Sequence, residues 1–148
     1  MMPMAIYEML ANDPVLNDLG ISEGRIFELQ SVDQRPFDEG YWLILNWQES
    51  SVYSQTYAGM SNGIPKAPRV MTVWVHTPMD STRDYTIITR ILNRIDAILL
   101  PMVHVTGSDG VRVSCVAKQG RSGNLADDGW KTTTRNATFG VLYDESAA

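Results

Sequence analysis

The stretch DSTRDYTIITRILNRIDAILLP, residues 80–101, sets the reading of the whole chain. At about 100° per residue, Tyr85, Ile88, Ile91, Leu92, Ile95, Ile98 and Leu99 fall on one side of a helix. Arg83, Arg90 and Arg94 fall in a narrow stripe on the other side. Asp80 or Ser81 can serve as N-cap, Ser81-Thr82-Arg83-Asp84 resembles a capping box, and Pro101 is a stop signal. The spacing therefore predicts one amphipathic helix over this segment. An apolar stripe of this width needs a sheet or another helix to cover.

The flanking segments supply that sheet. Just upstream, RVMTVWVH (69–76) is apolar on both faces, as a central strand is. Further upstream, RIFELQ (25–30) and YWLILNWQE (41–49) read as strands, with RPFDEG as a turn between them. Downstream, MVHV (102–105), the turn TGSDG and VRVSCVAKQ (111–119) form a hairpin signal. In the second arm Val111, Val113, Cys115 and Ala117 are expected to point inward. A final strand, KTTTRNATFGVLYD (131–144), has Ala137, Phe139, Val141 and Tyr143 alternating inward. At the other end, MAIYEMLA (4–11) is a short helix that Asp13-Pro14 ends, and PVLNDLG adds a turn with Gly20 as its cap.

The expected fold is α+β: a two-layer sandwich with a mostly antiparallel or mixed β-sheet and two helices packed on one face. Residues 1–148 are expected to form a single domain. Two stretches are expected as long loops, 50–68 and 120–130. Both are rich in Gly, and the first also holds Pro65 and Pro68. Between them they carry Tyr53, Tyr57, Met60, Arg121, Leu125 and Trp130. Aromatic residues, Met and Arg are the types enriched at protein interfaces, and loops this long exceed what a simple connection needs.

Composition narrows the function. Twelve Lys and Arg against seventeen Asp and Glu give a net charge of −5, which argues against bulk attraction to nucleic acid or anionic lipid. A single cysteine, Cys115, leaves no internal disulfide and no cysteine-rich zinc site, and fits a reducing cytoplasm. Its alternation with valines reads as a small core residue. The N-terminus has no basic region or long apolar run of a signal peptide, and no apolar run is long enough to cross a bilayer.

Chemistry is sparse. The only histidines, His76 and His104, lie in predicted strands, away from any cysteine or acidic cluster. Asp127-Asp128 lacks the alternating ligands of a calcium loop. KQGRSGNLADDG has glycines and basic residues but does not open a helix, so it reads as a hairpin tip rather than a phosphate loop. No catalytic residue, cofactor or metal site is expected. The Arg83, Arg90 and Arg94 stripe can meet a phosphate or a partner's carboxylates, or be an ordinary solvated helix face.

Three segments together carry a family resemblance: the helix ending at ANDPVL followed by GRIFEL, the strand–helix unit RVMTVWVHTPMDSTRDYTIITRILNRIDAIL, and the hairpin VSCVAKQGRSGNLADDGWKTTTRNATFGVLY. Their layout resembles the tail terminator proteins of long-tailed bacteriophages over nearly the whole chain. The resemblance implies a structural virion protein rather than an enzyme. It implies a hexameric ring at the head-proximal end of the tail, which stops growth of the tail tube and joins it to the head–tail connector. The implied partners are further copies of the chain, the tube protein and the connector or stopper. DNA would pass through the ring without tight binding, and no membrane is involved. The alternatives are another neck component, such as a connector or stopper, and a small α+β ligand-binding or enzymatic domain. Interface candidates are Tyr53, Tyr57, Met60, Arg83, Arg90, Arg94, Arg121, Leu125 and Trp130.

Overall fold

A computed structural model describes residues 3–29, 32–49 and 69–144. In chain order these form α1 (Met4–Ala11), α2 (Pro14–Asp18), a 3-10 turn (Glu23–Arg25), β1 (Ile26–Glu28), β2 (Trp42–Glu49), β3 (Arg69–Pro78), α3 (Thr86–Leu99), β4 (Val103–Thr106), β5 (Arg112–Arg121), β6 (Leu125–Asp127) and β7 (Thr132–Asp144). The strands make one curled sheet in the order β1-β2-β3-β7-β5-β4, with β6 also paired to β7. Only the β1–β2 pair is parallel. The α+β class and mixed sheet expected from the sequence are what the chain adopts, with three α-helices among the described residues where two were expected.

Register decides which side chains share a face. Leu45 lies beside Val73 and Val73 beside Ala137, while Trp47 lies beside Met71 and Met71 beside Phe139. These odd-numbered residues point toward the helices. There they join Ile6 and Leu10 of α1 and Ile88, Ile91, Leu92, Ile95 and Leu99 of α3 in one core. All five α3 residues are fully buried. The helical period of the sequence has therefore placed the α3 stripe where it was expected. Burial of a Leu or Ile side chain contributes about 1.5–3 kcal/mol, so this stripe is a large part of the driving force.

The short helices are closed by local chemistry. The Asp13 carboxylate accepts the Leu16 N–H at 2.9 Å, and Pro14 occupies the first turn of α2, where its missing N–H costs nothing. Gly20, at φ +95°, ends α2. Around it Ile21 N–H donates to the Leu16 carbonyl and Gly20 N–H to the Asn17 carbonyl, the two bonds of a Schellman motif. The β4–β5 turn then clamps α1. Asp109 accepts from Met4 N–H at 3.1 Å and Glu8 accepts from Ser108 N–H at 2.8 Å. A Cβ at Gly107 would lie 2.4 Å from the Ala5 nitrogen, so this close approach requires glycine.

Three local expectations are corrected. The long helix begins at Thr86, not at Asp80 or Ser81. Residues 79–85 are needed to carry the chain from β3 to the helix layer, and Thr133 Oγ1 holds the Thr82 carbonyl along the way. The start is fixed by Asp84, whose carboxylate accepts both Thr86 N–H at 2.9 Å and Thr86 Oγ1 at 2.7 Å. Cys115 and Ala117 are exposed, not inward. A register shift between Val113 and Cys115 turns Ser114 and Val116 to the buried side. Finally, the stretch expected as a hairpin loop at 120–130 contains the end of β5 and the three-residue β6, which pairs with Thr132–Thr134 of β7.

Candidate functional site

The even-numbered strand residues point away from the helices and build a different surface. Trp42, His76 and Thr134 are neighbours across three strands, as are Ile44, Trp74 and Asn136, and then Asn46, Thr72 and Thr138. His76 lies at the centre of an aromatic cluster. Its ring stacks on Trp42 (centroids 5.8 Å apart, 13° between planes) and on Trp74 (6.2 Å, 22°), and Trp130 closes over it at 5.1 Å. Phe37 extends the cluster from Trp42 at 5.8 Å, and the Arg25 guanidinium lies 3.7 Å from the Phe37 ring centre.

His76 is 5 % exposed. Burial pushes its pKa down to about 4, against a smaller upward pull from the Asp127 carboxylate. The imidazole is therefore neutral at physiological pH. Its Nδ1 is 2.8 Å from Thr132 Oγ1. Thr132 is fully buried, so this pair orients the ring and offers no hydroxyl to a substrate.

Beside this cluster is an open cleft of about 410 Å³. Trp74, His76 and Trp130 form its aromatic wall, and Asp33 and Asp127 bring carboxylates to it. Asp127 also accepts the Gly129 and Trp130 N–H groups at 2.9 and 3.1 Å, which sets the turn that presents Trp130. Arg35 holds the Trp130 carbonyl from the other side at 3.3 Å.

A second open cleft lies at the start of α3, lined by Arg83, Asp84, Tyr85, Thr86, Thr89, Arg90 and Asn124. Arg83 and Arg90 are exposed, and among the described residues neither has an ion-pair partner. Because the helix begins at Thr86, Arg83 precedes it, and only Arg90 and Arg94 of the expected helix stripe lie on α3. Arg94 donates to Asp13 through two nitrogens, at 2.9 and 2.6 Å. The Arg94 hydrogen bonds hold the Asp13 carboxyl below the usual carboxylate range.

The remaining interface candidates are dispersed. Arg121 pairs with Asp96 at 2.7 Å, where Lys118 also donates at 2.8 Å. Leu125 is 38 % exposed on β6, and its carbonyl accepts the Tyr85 hydroxyl, which places it near Arg83 and Arg90. Trp130 lies over His76. Tyr53, Tyr57 and Met60 lie outside the described residues, as does the expected loop at 50–68. The aromatic cleft itself was not anticipated. Its signal was present in the alternation of Trp42, Ile44 and Asn46 and of Trp74 and His76, but pairing those strands requires the register. His104 is exposed on edge strand β4, with φ 53°. Among the described residues no group of three or more His, Cys, Asp or Glu could hold a metal ion, and no helix is long and apolar enough to cross a membrane.

No family profile and no curated protein matches the chain. Among solved structures the chain is similar to a chain in the virion of a native gene transfer agent (GTA) particle. The two are 13 % identical and superpose with a TM-score of 0.66 over 93 % of this chain and 90 % of the other. At that identity the likeness is one of fold, and it covers most of both chains.

Proposed function

We propose that this chain is a structural virion protein, a tail terminator that assembles into a hexameric ring at the head-proximal end of a phage-type tail. The observation that carries this reading is the fold likeness, over 93 % of this chain, to a chain of a GTA virion. The segment layout, which resembles tail terminators, points the same way. In this role the ring caps the tail tube, stops its growth and offers its other surface to the head–tail connector. A closed ring satisfies every head-to-tail interface without runaway growth. The segment 50–68 joins the adjacent ends of β2 and β3, which pair as far as Glu49 and Arg69. It carries Tyr53, Tyr57 and Met60 and is assigned here as a contact element. A net charge of −5 per chain favours a channel through which DNA slides without being held.

Electron microscopy of assembled tails tests the assignment. The expected result is a single ring of six copies between tube and connector, with tubes of uncontrolled length when the protein is removed. A position on the connector side, with tube length unaffected by its removal, would instead make it a connector or stopper. Absence from the particle would refute both.

A further inference from the structure

We propose that the aromatic cleft on the open face of the sheet receives the Arg83–Arg90 pair of a second copy of the chain, forming a head-to-tail interface. This inference rests on the ring reading above and names the residues that would join one protomer to the next. The cleft has the chemistry of a cation site. Trp74 and Trp130 supply aromatic surface, Asp33 and Asp127 supply negative charge, and His76 beside them adds none. A guanidinium is planar, weakly hydrated and able both to stack on an indole and to donate to a carboxylate, which suits such a wall better than a compact ammonium does. The chain already places a guanidinium on an aromatic ring at the edge of the same cluster. There the Arg25 guanidinium lies on the Phe37 ring and donates to the Glu39 carbonyl at 2.8 Å.

The occupant is argued from charge complementarity. Arg83 and Arg90 line one cleft, are exposed and lack an ion-pair partner among the described residues. The one carboxylate beside them, Asp84, is committed to Thr86. Asp33 is exposed and likewise has no partner among the described residues. The arginine cleft is built on the start of α3, which covers the odd-numbered face of the sheet, whereas Trp74 and His76 belong to the even-numbered face. Two different, complementary patches on one subunit are what a heterologous contact requires.

Reciprocal charge reversal in the full-length protein is the test, with assembly read by sedimentation velocity and by electron microscopy of cross-linked material at high concentration. One variant carries Arg83→Asp and Arg90→Asp. The other carries Asp33→Lys and Asp127→Asn, the asparagine keeping an acceptor for the Gly129 and Trp130 N–H groups. Circular dichroism and thermal unfolding check that both remain folded. Each variant alone is expected to associate at least about tenfold more weakly than wild type. An equimolar mixture should recover most of the loss, because every interface of an alternating ring then pairs opposite charges. Wild-type rings indifferent to both reversals overturn the inference and leave the proposed function standing, as does a mixture that fails to recover. A wild-type chain that stays monomeric overturns the self-interface, while presence or absence in the virion decides the functional reading separately.

Discussion

The two faces of the sheet are built by different rules. The face under α1 and α3 is aliphatic, with Leu45, Met71, Val73, Ala137 and Phe139 meeting the isoleucines and leucines of α3. Its members recur with the strand period of two or the helix period near 3.6, so each is legible from its own segment. The other face combines Trp42, Trp74, His76, Thr134 and Asn136 with Phe37 and Trp130 brought in from loops. The first face contributes the bulk of the burial. The second buries an imidazole among indoles and leaves a cleft beside it, a costlier arrangement that a fold would not need for burial alone.

The sharpest way to break the comparison is to place a charge under the helix. Ile91→Asp puts an unpaired carboxylate at a fully buried position and should cost more than about 4 kcal/mol, enough to unfold the domain. Loss of the far-UV helical signal and of cooperative melting is the expected result. A cooperatively folded Ile91→Asp protein with a near-native midpoint would mean that this face is not the core.

The open face should reveal itself through pH. Folded His76 has a pKa near 4, whereas in the unfolded chain it returns to about 6.5. The neutral form is the one that the fold favours. Its stabilising contribution is therefore present above about pH 6.5 and fades as the pH falls toward 4, where the unfolded chain binds a proton that the folded chain refuses. Between neutral pH and about 4.5 the loss should be on the order of 2–3 kcal/mol. His76→Phe should be destabilised at pH 7 through loss of the Thr132 contact, yet show a flatter decline. Urea midpoints of both proteins across this range are the measurement, and parallel declines would place the imidazole in water.

A smaller effect is expected where the β4–β5 turn grips α1. Gly107→Ala drives a methyl group into the Ala5 backbone and should cost about 1–3 kcal/mol. The loss would appear as a lower melting temperature with assembly otherwise intact. No change would indicate that the turn and helix separate easily. Smallest of all is Cys115→Ser. Because the register shift in β5 turns Cys115 outward, the substitution should stay within about 0.5 kcal/mol of wild type. The native thiol should also react with a disulfide reagent without unfolding. A protected thiol would restore the inward alternation that the plain strand pattern predicts.

Local sequence determined what repeats locally. The α3 stripe, the ends at Asp13-Pro14, Gly20 and Pro101, the central character of β3 and the inward set on β7 all follow from period, capping and backbone restriction. These act within one or two turns of chain and need no partner to be recognised. The tertiary structure decided whatever depends on distance in sequence. The Cys115 orientation depends on a register shift against β7. The late start of α3 depends on the span from sheet to helix layer. Arg94 is engaged because Asp13 stands opposite it. The aromatic cleft requires Trp42, Trp74, His76 and Trp130, drawn from β2, β3 and the turn after β6, to meet through pairings that no single segment encodes. Propensity and periodicity are properties of a segment, whereas register, ion-pair choice and a cleft are properties of which segments become neighbours, and that is settled only when the whole sheet forms.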